Sequence, residues 1–386
     1  MPRPMGIYVH VPFCRSRCAY CDFCSTARWG EGTLDAYIPA LLAQIDELLP
    51  ENPRLFADTL YLGGGTPSVL GGGRLSALLQ GVRERFGLPQ DSEITVEVNP
   101  ESGTEELFRA LRAAGVNRVS MGLQSSDDGE LRRIGRIHTF AQVQRAVELC
   151  RAHCTDNISL DLMFGLPDQT MDRWLRSVDD AVSLEPKHLS CYALKLEEGT
   201  PLWREDPPRP DDDAQADFYL AMADRLAAGG FEQYEISNFC RPGYASRHNS
   251  KYWDLTEYLG FGPGAHGFYQ GKRFYFPDDI RAFLQDPAAR RPLAEDAPGT
   301  GPEDRLEEAV MLALRTTAGL DLSALSRQYG RDLSRLAEPL RTFVPAGYVR
   351  QEGERWSLTP RGFLVSNGII GEVLEALASE KENAES

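Results

Sequence analysis

The sequence predicts an α/β protein built on a parallel sheet of six βα units, in the form of a complete or incomplete barrel, with a smaller helical module after it. Two observations lead to this prediction. Six strand-like runs alternate with amphipathic helical stretches between residues 6 and 193, and polar or glycine-rich residues follow the strand ends. Parallel strands need crossover helices, and barrels of this kind place their ligand sites at the carboxyl ends of the strands.

The predicted strands are short runs rich in β-branched and aromatic residues. They are GIYVHV (6–11), DTLYLG (58–63), EITVEV (93–98), NRVSMG (117–122), ISLDLM (158–163) and HLSCYA (188–193). Helices are predicted at residues 34–49, 171–184 and 214–228 from the spacing of their apolar residues.

The pattern changes character from about residue 292. Helical segments at 303–317, 321–330 and 333–344 precede a hairpin with a glycine-containing turn at 348–364 and a last helix, which predicts a winged-helix-like module. We therefore divide the chain into a barrel core at 1–235, a connecting segment at 236–291 and a C-terminal module at 292–386.

Composition narrows the functional classes. A formal net charge of -16 argues against nucleic-acid binding, because contacts with phosphates need a basic face. The sequence has neither a membrane-spanning apolar run nor an apolar leader behind a basic start, so we expect a cytoplasmic protein that is not integral to a membrane. Eight cysteines, three of them clustered, fit a metal site in a reducing compartment better than a disulfide framework.

The clustered cysteines follow the first predicted strand directly. Cys14, Cys18 and Cys21 form a CxxxCxxC motif, and three thiolates this close can bind one metal centre made of zinc, copper or iron and sulfur. The spacing is unusual for zinc, whereas a cubane cluster held by three cysteines leaves one iron open for a ligand. A zinc or disulfide site is the alternative, with Cys24 as a fourth zinc ligand.

The motif, with Tyr20 just before its third cysteine, resembles the cluster loop of the radical S-adenosylmethionine (SAM) enzymes. The resemblance implies a partial (β/α)6 TIM-type barrel, a [4Fe-4S] cluster on Cys14, Cys18 and Cys21, and SAM bound to the open iron. It also implies that Cys24 is not a cluster ligand.

Further positions match the SAM site of that family. Glu97 and Asp161 are single acids within buried strands, where a carboxylate is costly unless it is paired or binds a ligand. Arg136 has a guanidinium able to bind a SAM carboxylate, although a surface arginine is the simpler reading of that position. The resemblance implies a SAM site formed by Tyr8, Gly64, Gly65, Thr66, Glu97, Gln124, Arg136 and Asp161.

A second motif, HNSKYW at residues 248–253, lies in a segment dense in aromatic residues and glycine. It matches the HNxxYW pattern of the heme-chaperone branch of the oxygen-independent coproporphyrinogen III oxidase-like proteins. The match implies heme binding, with His248 as a candidate axial ligand or as a residue that orients the pocket. His266 is a weaker candidate, and a structural role for His248 is the alternative. The neighbours expected to contact heme are Tyr252, Trp253 and Tyr258 on its faces and Arg247 and Lys251 at its propionates.

Two functions follow from the resemblance. One is a heme chaperone that transfers heme to acceptor proteins, and the other is an oxidase that decarboxylates coproporphyrinogen III by radical chemistry. Three observations favour the chaperone. The HNSKYW motif is present, and only a few residues precede Tyr8. In addition, Phe23 stands where the oxidase pattern has its fourth cysteine. The resemblance further implies an electron donor and a possible homodimer.

Overall fold

The computed structural model describes residues 4–49, 55–286, 290–294 and 301–385. The first half of the chain alternates between strands and helices as the sequence predicts, and the strand bounds differ from the predicted ones by at most two residues. The elements are β1 (Met5–Val11), α1 (Glu31–Leu48), β2 (Ala57–Gly64), α2 (Gly71–Phe86), β3 (Glu93–Val98), α3 (Glu105–Ala113), β4 (Arg118–Gln124), α4 (Asp128–Arg133), α5 (Phe140–His153), β5 (Ile158–Phe164), α6 (Met171–Ser183) and β6 (His188–Ala193).

Local sequence fixes where several of these helices begin. The hydroxyls of Thr104 and Thr170 accept a hydrogen bond from a backbone N–H in the first turns of α3 and α6. Thr139 and Gln142 form a capping box at the start of α5. Such caps satisfy the backbone donors that a helix leaves open at its amino end.

The following segment adds strands to both sides of the same sheet. Its elements are α7 (Pro201–Glu205), α8 (Asp212–Ala228), β7 (Glu232–Gln233), β8 (Asn238–Cys240), α9 (Arg247–Trp253), β9 (Tyr258–Phe261), β10 (His266–Tyr269), β11 (Lys272–Tyr275), α10 (Ile280–Gln285) and β12 (Leu293–Ala294). β8 pairs antiparallel with β6, whereas β9 pairs parallel with β1 and becomes a seventh parallel strand.

The resulting sheet has twelve strands in the order β12-β11-β10-β9-β1-β2-β3-β4-β5-β6-β8-β7. Strands β1 to β6 are parallel and adjacent in chain order. β7 and β12 lie at opposite ends of this order, so the sheet is open, and the predicted partial barrel is confirmed.

Side chains of β1 point alternately into the apolar core and into the interior of the barrel. Ile7, Val9 and Val11 are fully buried among apolar residues, while Tyr8 and His10 project from the other face of the strand. The parallel strands therefore have polar or aromatic side chains on their inner face, and these residues line the cavities described below.

The C-terminal part is mainly helical with a small antiparallel sheet. It contains α11 (Pro302–Ala313), β13 (Leu320–Asp321), α12 (Leu322–Tyr329), α13 (Ala337–Thr342), β14 (Val349–Glu352), β15 (Arg355–Leu358), α14 (Pro360–Leu364) and α15 (Ser366–Glu385). The predicted helices, hairpin and last helix are all present, and the sheet order is β13-β15-β14.

Backbone hydrogen bonds attach this part to the barrel. The N–H of Ile236 donates to the carbonyl of Arg315, and the N–H of Thr317 donates to the carbonyl of Tyr234, both at 3.0 Å. The domain boundaries at residues 235 and 291 stay a prediction. Among the described helices, none is both long and apolar enough to cross a bilayer.

Candidate functional site: a cleft at the carboxyl ends of the strands

The loop between β1 and α1 carries the cysteine triplet. Its ends are held together because the N–H of Cys14 donates to the carbonyl of Thr26 (3.0 Å) and the N–H of Thr26 donates to the carbonyl of Pro12 (2.8 Å). Cys14 is buried, Cys18 and Cys21 are half-buried, and none of the eight cysteines is in a disulfide. Burial raises the pKa of the Cys14 and Cys21 thiols, so binding of a metal must displace their protons.

The three thiols fit an iron-sulfur cluster better than a single ion. Among the described residues, no group of three or more His, Cys, Asp or Glu side chains is arranged to hold one metal ion. All three cysteines nevertheless line the same cavity. A cluster of several irons can bind thiolates that are too far apart for one ion, and soft sulfur ligands are the donors such a cluster takes.

The glycine-rich loop after β2 lies directly against the cysteine loop. The N–H of Gly65 donates to the carbonyl of Val11 (2.9 Å), and the N–H of Thr66 donates to the carbonyl of Phe13 (2.7 Å). A Cβ at position 65 would lie 2.8 Å from both carbonyl oxygens, so only glycine permits this approach. The Thr66 hydroxyl also donates to the Cys14 sulfur at 3.5 Å. These amides therefore support the cysteine loop, although we expected them to face a ligand.

Glu97 projects from β3 into the interior of the barrel. Its carboxylate accepts hydrogen bonds from the Tyr61 hydroxyl (2.8 Å) and the Gly64 N–H (3.2 Å). The pKa of Glu97 is raised to about 7, mainly by burial and also by the negative charge of Asp161, although the Tyr61 and Gly64 hydrogen bonds oppose the shift. The carboxyl group is thus poised near neutrality, and a cationic ligand beside it would favour the ionised form.

Asp161 on β5 faces the same interior. The Ser120 hydroxyl donates to its Oδ1 at 3.3 Å. Burial raises the pKa of Asp161 to about 6, and Ser190 and the positive charge of Arg118 work against that shift. Arg118 itself is only 2% exposed, and its Nε and Nη1 have no hydrogen-bond partner in the described structure. The positive charge of this guanidinium opposes the rise in the pKa of both Glu97 and Asp161, although it does not cancel that rise.

Arg136 connects the cysteine loop to the strand ends. Its Nη2 donates to the carbonyl of Gly122 (2.8 Å) and to Oδ1 of Asn99 (3.2 Å), and its Nη1 donates to the Cys18 sulfur at 3.5 Å. Burial alone would lower the pKa of Arg136, but Tyr20 and Cys18 beside it raise that pKa above its usual value. Arg136 is therefore a fixed cation beside a predicted cluster ligand, and it is no surface arginine.

Gln124 ends β4 in a strained backbone conformation. Its φ is 65°, in the region that favours glycine, and it follows an irregularity in the pairing of β4 with β5. The Tyr192 hydroxyl donates to its side-chain oxygen at 3.3 Å. Strain of this kind is common where a side chain is aimed at a ligand.

One cavity of about 540 Å³ unites most of the predicted residues. The predicted residues on its wall are Cys14, Cys18, Cys21, Gly64, Gly65, Thr66, Glu97, Gln124, Arg136 and Asp161. We call this cavity the SAM cleft. Tyr8 and His248 are not among its lining residues.

Comparison with known proteins finds two family models in the chain. The model of the radical SAM superfamily matches residues 8–181, which run from β1 to α6 and include the cysteine loop. The model of the HemN C-terminal domain matches residues 301–365, within the C-terminal part. The first match lies within the predicted barrel core and the second within the predicted C-terminal module.

Curated relatives match almost the whole chain. The heme chaperone HemW of Mycobacterium tuberculosis (strain CDC 1551 / Oshkosh) is 36% identical over 96% of this chain and 95% of its own length. The heme chaperone HemW of Escherichia coli (strain K12) is 34% identical over 95% of this chain and 97% of its own length. The chain belongs to the HemW family. The resemblance inferred from the cysteine and HNxxYW motifs is thereby confirmed.

A solved structure shares the fold of this HemW family member. Coproporphyrinogen III oxidase (HemN) from Escherichia coli, a radical SAM enzyme, superposes with a TM-score of 0.82 and 22% sequence identity. The match covers 96% of this chain and 90% of that chain. At this level of identity the likeness concerns the fold alone.

The HNxxYW motif of the HemW family lies on α9, and of its residues Asn249 lines the SAM cleft whereas His248 does not. His248 is 1% exposed, and its ring nitrogens lie 2.9 Å from the hydroxyls of Thr59 and Tyr252. Its N–H donates to Glu93 at 2.9 Å. Thr59 and Glu93 stand at the amino ends of β2 and β3, so His248 lies at the opposite end of the strands from the cluster loop.

Charge and burial make His248 a neutral residue. Burial, together with the positive charges of Lys251 and Arg118, lowers its pKa to about 3. Lys251 and Arg247, which we expected at heme propionates, both pair with Asp58, at 2.8 and 2.7 Å. In this structure His248 and its neighbours hold α9 against the barrel. His248 could influence a bound ligand through the hydroxyl of Tyr252, which lies 2.9 Å from its ring.

A second, larger cavity of about 1050 Å³ adjoins the SAM cleft. Phe23, Gly64 and Glu97 line both. The predicted residues Tyr8, Tyr252, Tyr258 and His266 lie on its wall, whereas Trp253 does not. We call it the aromatic cavity. Its remaining lining residues are His10, Cys24, Gly264, Tyr275, Phe276, Pro277, Asp278 and Leu293.

Sequence reasoning missed two contributors to the SAM cleft. Arg118 begins β4 and reads as an exposed residue at the end of a strand, yet it is buried between acids. Tyr192 lies near the end of β6 and donates a hydrogen bond to the Gln124 side chain. The signal that identified Glu97 and Asp161, a charged residue within an apolar strand, is missing at Arg118 because it is the first residue of its strand.

Proposed function

We propose that this protein is a heme chaperone that binds a [4Fe-4S] cluster, SAM and heme, and that transfers heme to acceptor proteins. The observation that supports it is the SAM cleft, whose cysteine triplet and strand-end residues directly adjoin an aromatic cavity large enough for a porphyrin. The curated names of the relatives point to the same function.

Cys14, Cys18 and Cys21 are the residues that would hold the cluster. When bound, the cluster supplies one electron and an open coordination site for SAM. The Nη1 of Arg136 donates to the Cys18 sulfur at 3.5 Å, so its positive charge would offset part of the negative charge that a thiolate-bound cluster brings to the site. Cys24 stays outside this set because its sulfur donates to the carbonyl of Asp278 at 3.3 Å and lines the aromatic cavity.

Glu97, Gln124, Asp161 and Arg136 are the polar groups that would orient SAM in the cleft. The two acids face the position where a cationic ligand would offset the cost of their burial. Gly64 and Gly65 bring the backbone close to the site, and Thr66 supports Cys14. Tyr8 lies in the aromatic cavity, on the far side of Gly64 and Glu97.

His248 orients the heme pocket through Tyr252, in the second of the two roles considered for it. Its ring is buried against Tyr61, with ring centroids 5.3 Å apart, and its Nε2 lies 2.9 Å from the Tyr252 hydroxyl. An electron donor, a homodimer and a cytoplasmic location complete the proposal, as the family resemblance implies them.

The test begins with anaerobic reconstitution, followed by measurement of iron, sulfide, SAM binding and heme binding per chain. We expect Glu97→Ala to weaken SAM binding in calorimetry with the cluster intact, and heme-loaded protein to pass heme to an apo-acceptor. Incubation with coproporphyrinogen III, SAM and a reductant should form no protoporphyrinogen. Turnover that depends on the cysteine triplet would instead establish the oxidase function, and stoichiometric zinc without iron would establish a zinc scaffold.

A further inference from the structure

We propose that heme binds in the aromatic cavity with His266 as an axial ligand of its iron. This inference rests on the proposed heme-chaperone function and names the site for it. The cavity volume of about 1050 Å³ reaches the upper end of the range of ligand pockets, about 300–1,000 Å³. The cavity therefore has room for a flat macrocycle as well as for solvent at its mouth.

Paired aromatic rings form the walls of the cavity. The rings of Tyr252 and Tyr258 meet edge to face with centroids 4.7 Å apart, and those of His266 and Tyr275 stack at 5.7 Å with 25° between their planes. Flat apolar faces of this kind are what a porphyrin needs on both sides. Gly64 and Gly264 also lie on the wall, where their lack of a side chain lets the His10 ring and Cys24 pack directly against the backbone.

Position selects His266 among the histidines of the chain. The chain has six histidines, and two of them, His10 and His266, line the cavity. His10 is 6% exposed, and its two ring nitrogens lie 3.0 Å from the Tyr8 hydroxyl and 2.8 Å from the Cys24 carbonyl. His266 is exposed at the start of β10, and its ring stacks on that of Tyr275. The other four, His138, His153, His188 and His248, are not on the cavity wall.

Cys24 is the competing ligand on the same wall. Its sulfur donates to the carbonyl of Asp278 at 3.3 Å. Burial raises the pKa of the Cys24 thiol to about 11, and Asp278 adds to the effect, so the thiolate that iron prefers is scarce at neutral pH. A neutral imidazole needs no deprotonation before it binds iron.

The charges on the wall fix how the heme would lie. Among the lining residues that the structure describes, Glu97 and Asp278 are acidic, and none is lysine or arginine. This arrangement favours propionates that point out of the cavity toward solvent and an apolar ring edge that points inward. That edge would meet Gly64 and Glu97, which also line the SAM cleft, so heme and SAM would occupy opposite sides of one wall.

The test is a hemin titration of the full-length, anaerobically reconstituted protein, read by the Soret band and by affinity. We expect His266→Ala to shift the band and to weaken binding at least about tenfold, because even outer-shell partners of a metal typically contribute about 10–100-fold. Imidazole added to the buffer should restore the wild-type band. The iron and sulfide content of the variant should equal that of the wild type, which shows an intact fold.

His153→Ala is the matched control, since His153 lies on α5 outside both cavities, and it should behave as the wild type. The assignment would be overturned if His266→Ala kept both band and affinity, or if His248→Ala shifted the band while His266→Ala did not. Wild-type protein that binds no hemin would refute the chaperone function itself, which is a different outcome from a misplaced ligand.

Discussion

Cys24 stands three residues after the last cysteine of the motif, yet its surroundings differ from theirs. Its sulfur lies on the aromatic cavity and donates to Asp278, whereas Cys14, Cys18 and Cys21 line the SAM cleft. We therefore expect Cys24→Ser to retain the cluster and Cys18→Ser to lose it. Iron and sulfide per chain after anaerobic reconstitution give the answer. Equal loss of iron in the two variants would mean that four cysteines hold the metal.

Glu97 should make the stability of the apo-protein depend on pH. Its pKa is raised from 4.5 to about 7 in the folded state, so its contribution to stability is complete below pH 4.5 and is lost as pH rises through about 7. Over that window the free energy of unfolding should fall by up to about 3 kcal/mol because of this group.

Glu97→Gln removes this titration. Urea unfolding across the window should give a flatter pH profile for the variant, even if the loss of one hydrogen bond to Gly64 or Tyr61 lowers its stability at every pH. Glu105→Gln is the control, because the Glu105 carboxylate is exposed and pairs with Arg109 on the surface. Parallel profiles for wild type and Glu97→Gln would show that Glu97 is not the titrating group.

Some strand residues of the candidate site could be predicted from the sequence, and others could not. Glu97 and Asp161 stood out because an acid in an apolar strand requires a partner or a ligand. Arg118 did not, because an arginine that begins a strand is normally exposed, and only the burial of the completed barrel places it between the acids. Tyr8 was expected in the SAM site, but it lines the aromatic cavity, which is formed largely by residues of the segment after β8 that the strand pattern does not place.

Two acids, Asp58 and Glu93, attach the helix α9 to the barrel, and Asp58 does so through ion pairs. Asp58 pairs with both Arg247 and Lys251, and the Lys251 ammonium also donates to the carbonyl of Pro4 at 2.7 Å. Asp58→Asn should destabilise the protein by about 2 kcal/mol, since removal of one partner leaves a largely buried cation. Urea unfolding measures the change.

Asp46→Asn is the matched control for that variant. Asp46 pairs with Arg85 at 2.7 Å, but its side chain is 53% exposed, and exposed pairs contribute less than about 1 kcal/mol. A loss no larger for Asp58→Asn than for Asp46→Asn would show that α9 is held by packing rather than by this ion pair.

The predicted strands were correct because each is a continuous run of β-branched and apolar residues between turn signals. β9 could not be predicted in the same way. It has only four residues, Tyr258–Phe261, and it pairs with β1 from the other end of the barrel sequence. No local pattern carries the information that these two segments are neighbours, because that pairing follows from the path of the chain after β8.

The barrel and the C-terminal part should unfold together. Their buried apolar side chains form one continuous core, which includes Trp174 in α6 and Trp356 in β15, and backbone hydrogen bonds join residues 234–236 to 315–317. Variants that retain only Trp174 or only Trp356 should therefore give coincident urea transitions by fluorescence. Two separate midpoints would mean that the two parts are independently stable.

The open sheet has a consequence for how the protein behaves at high concentration. A twelve-stranded sheet exposes two rows of unpaired backbone groups at its edges, and long flat edges recruit strands from other molecules. Here the strands at the two ends, Glu232–Gln233 and Leu293–Ala294, have two residues each. Edges this short offer little template for intermolecular β-pairing, and a net charge of -16 adds repulsion between molecules. The fold therefore limits self-association into fibrils while it keeps its ligand cavities open.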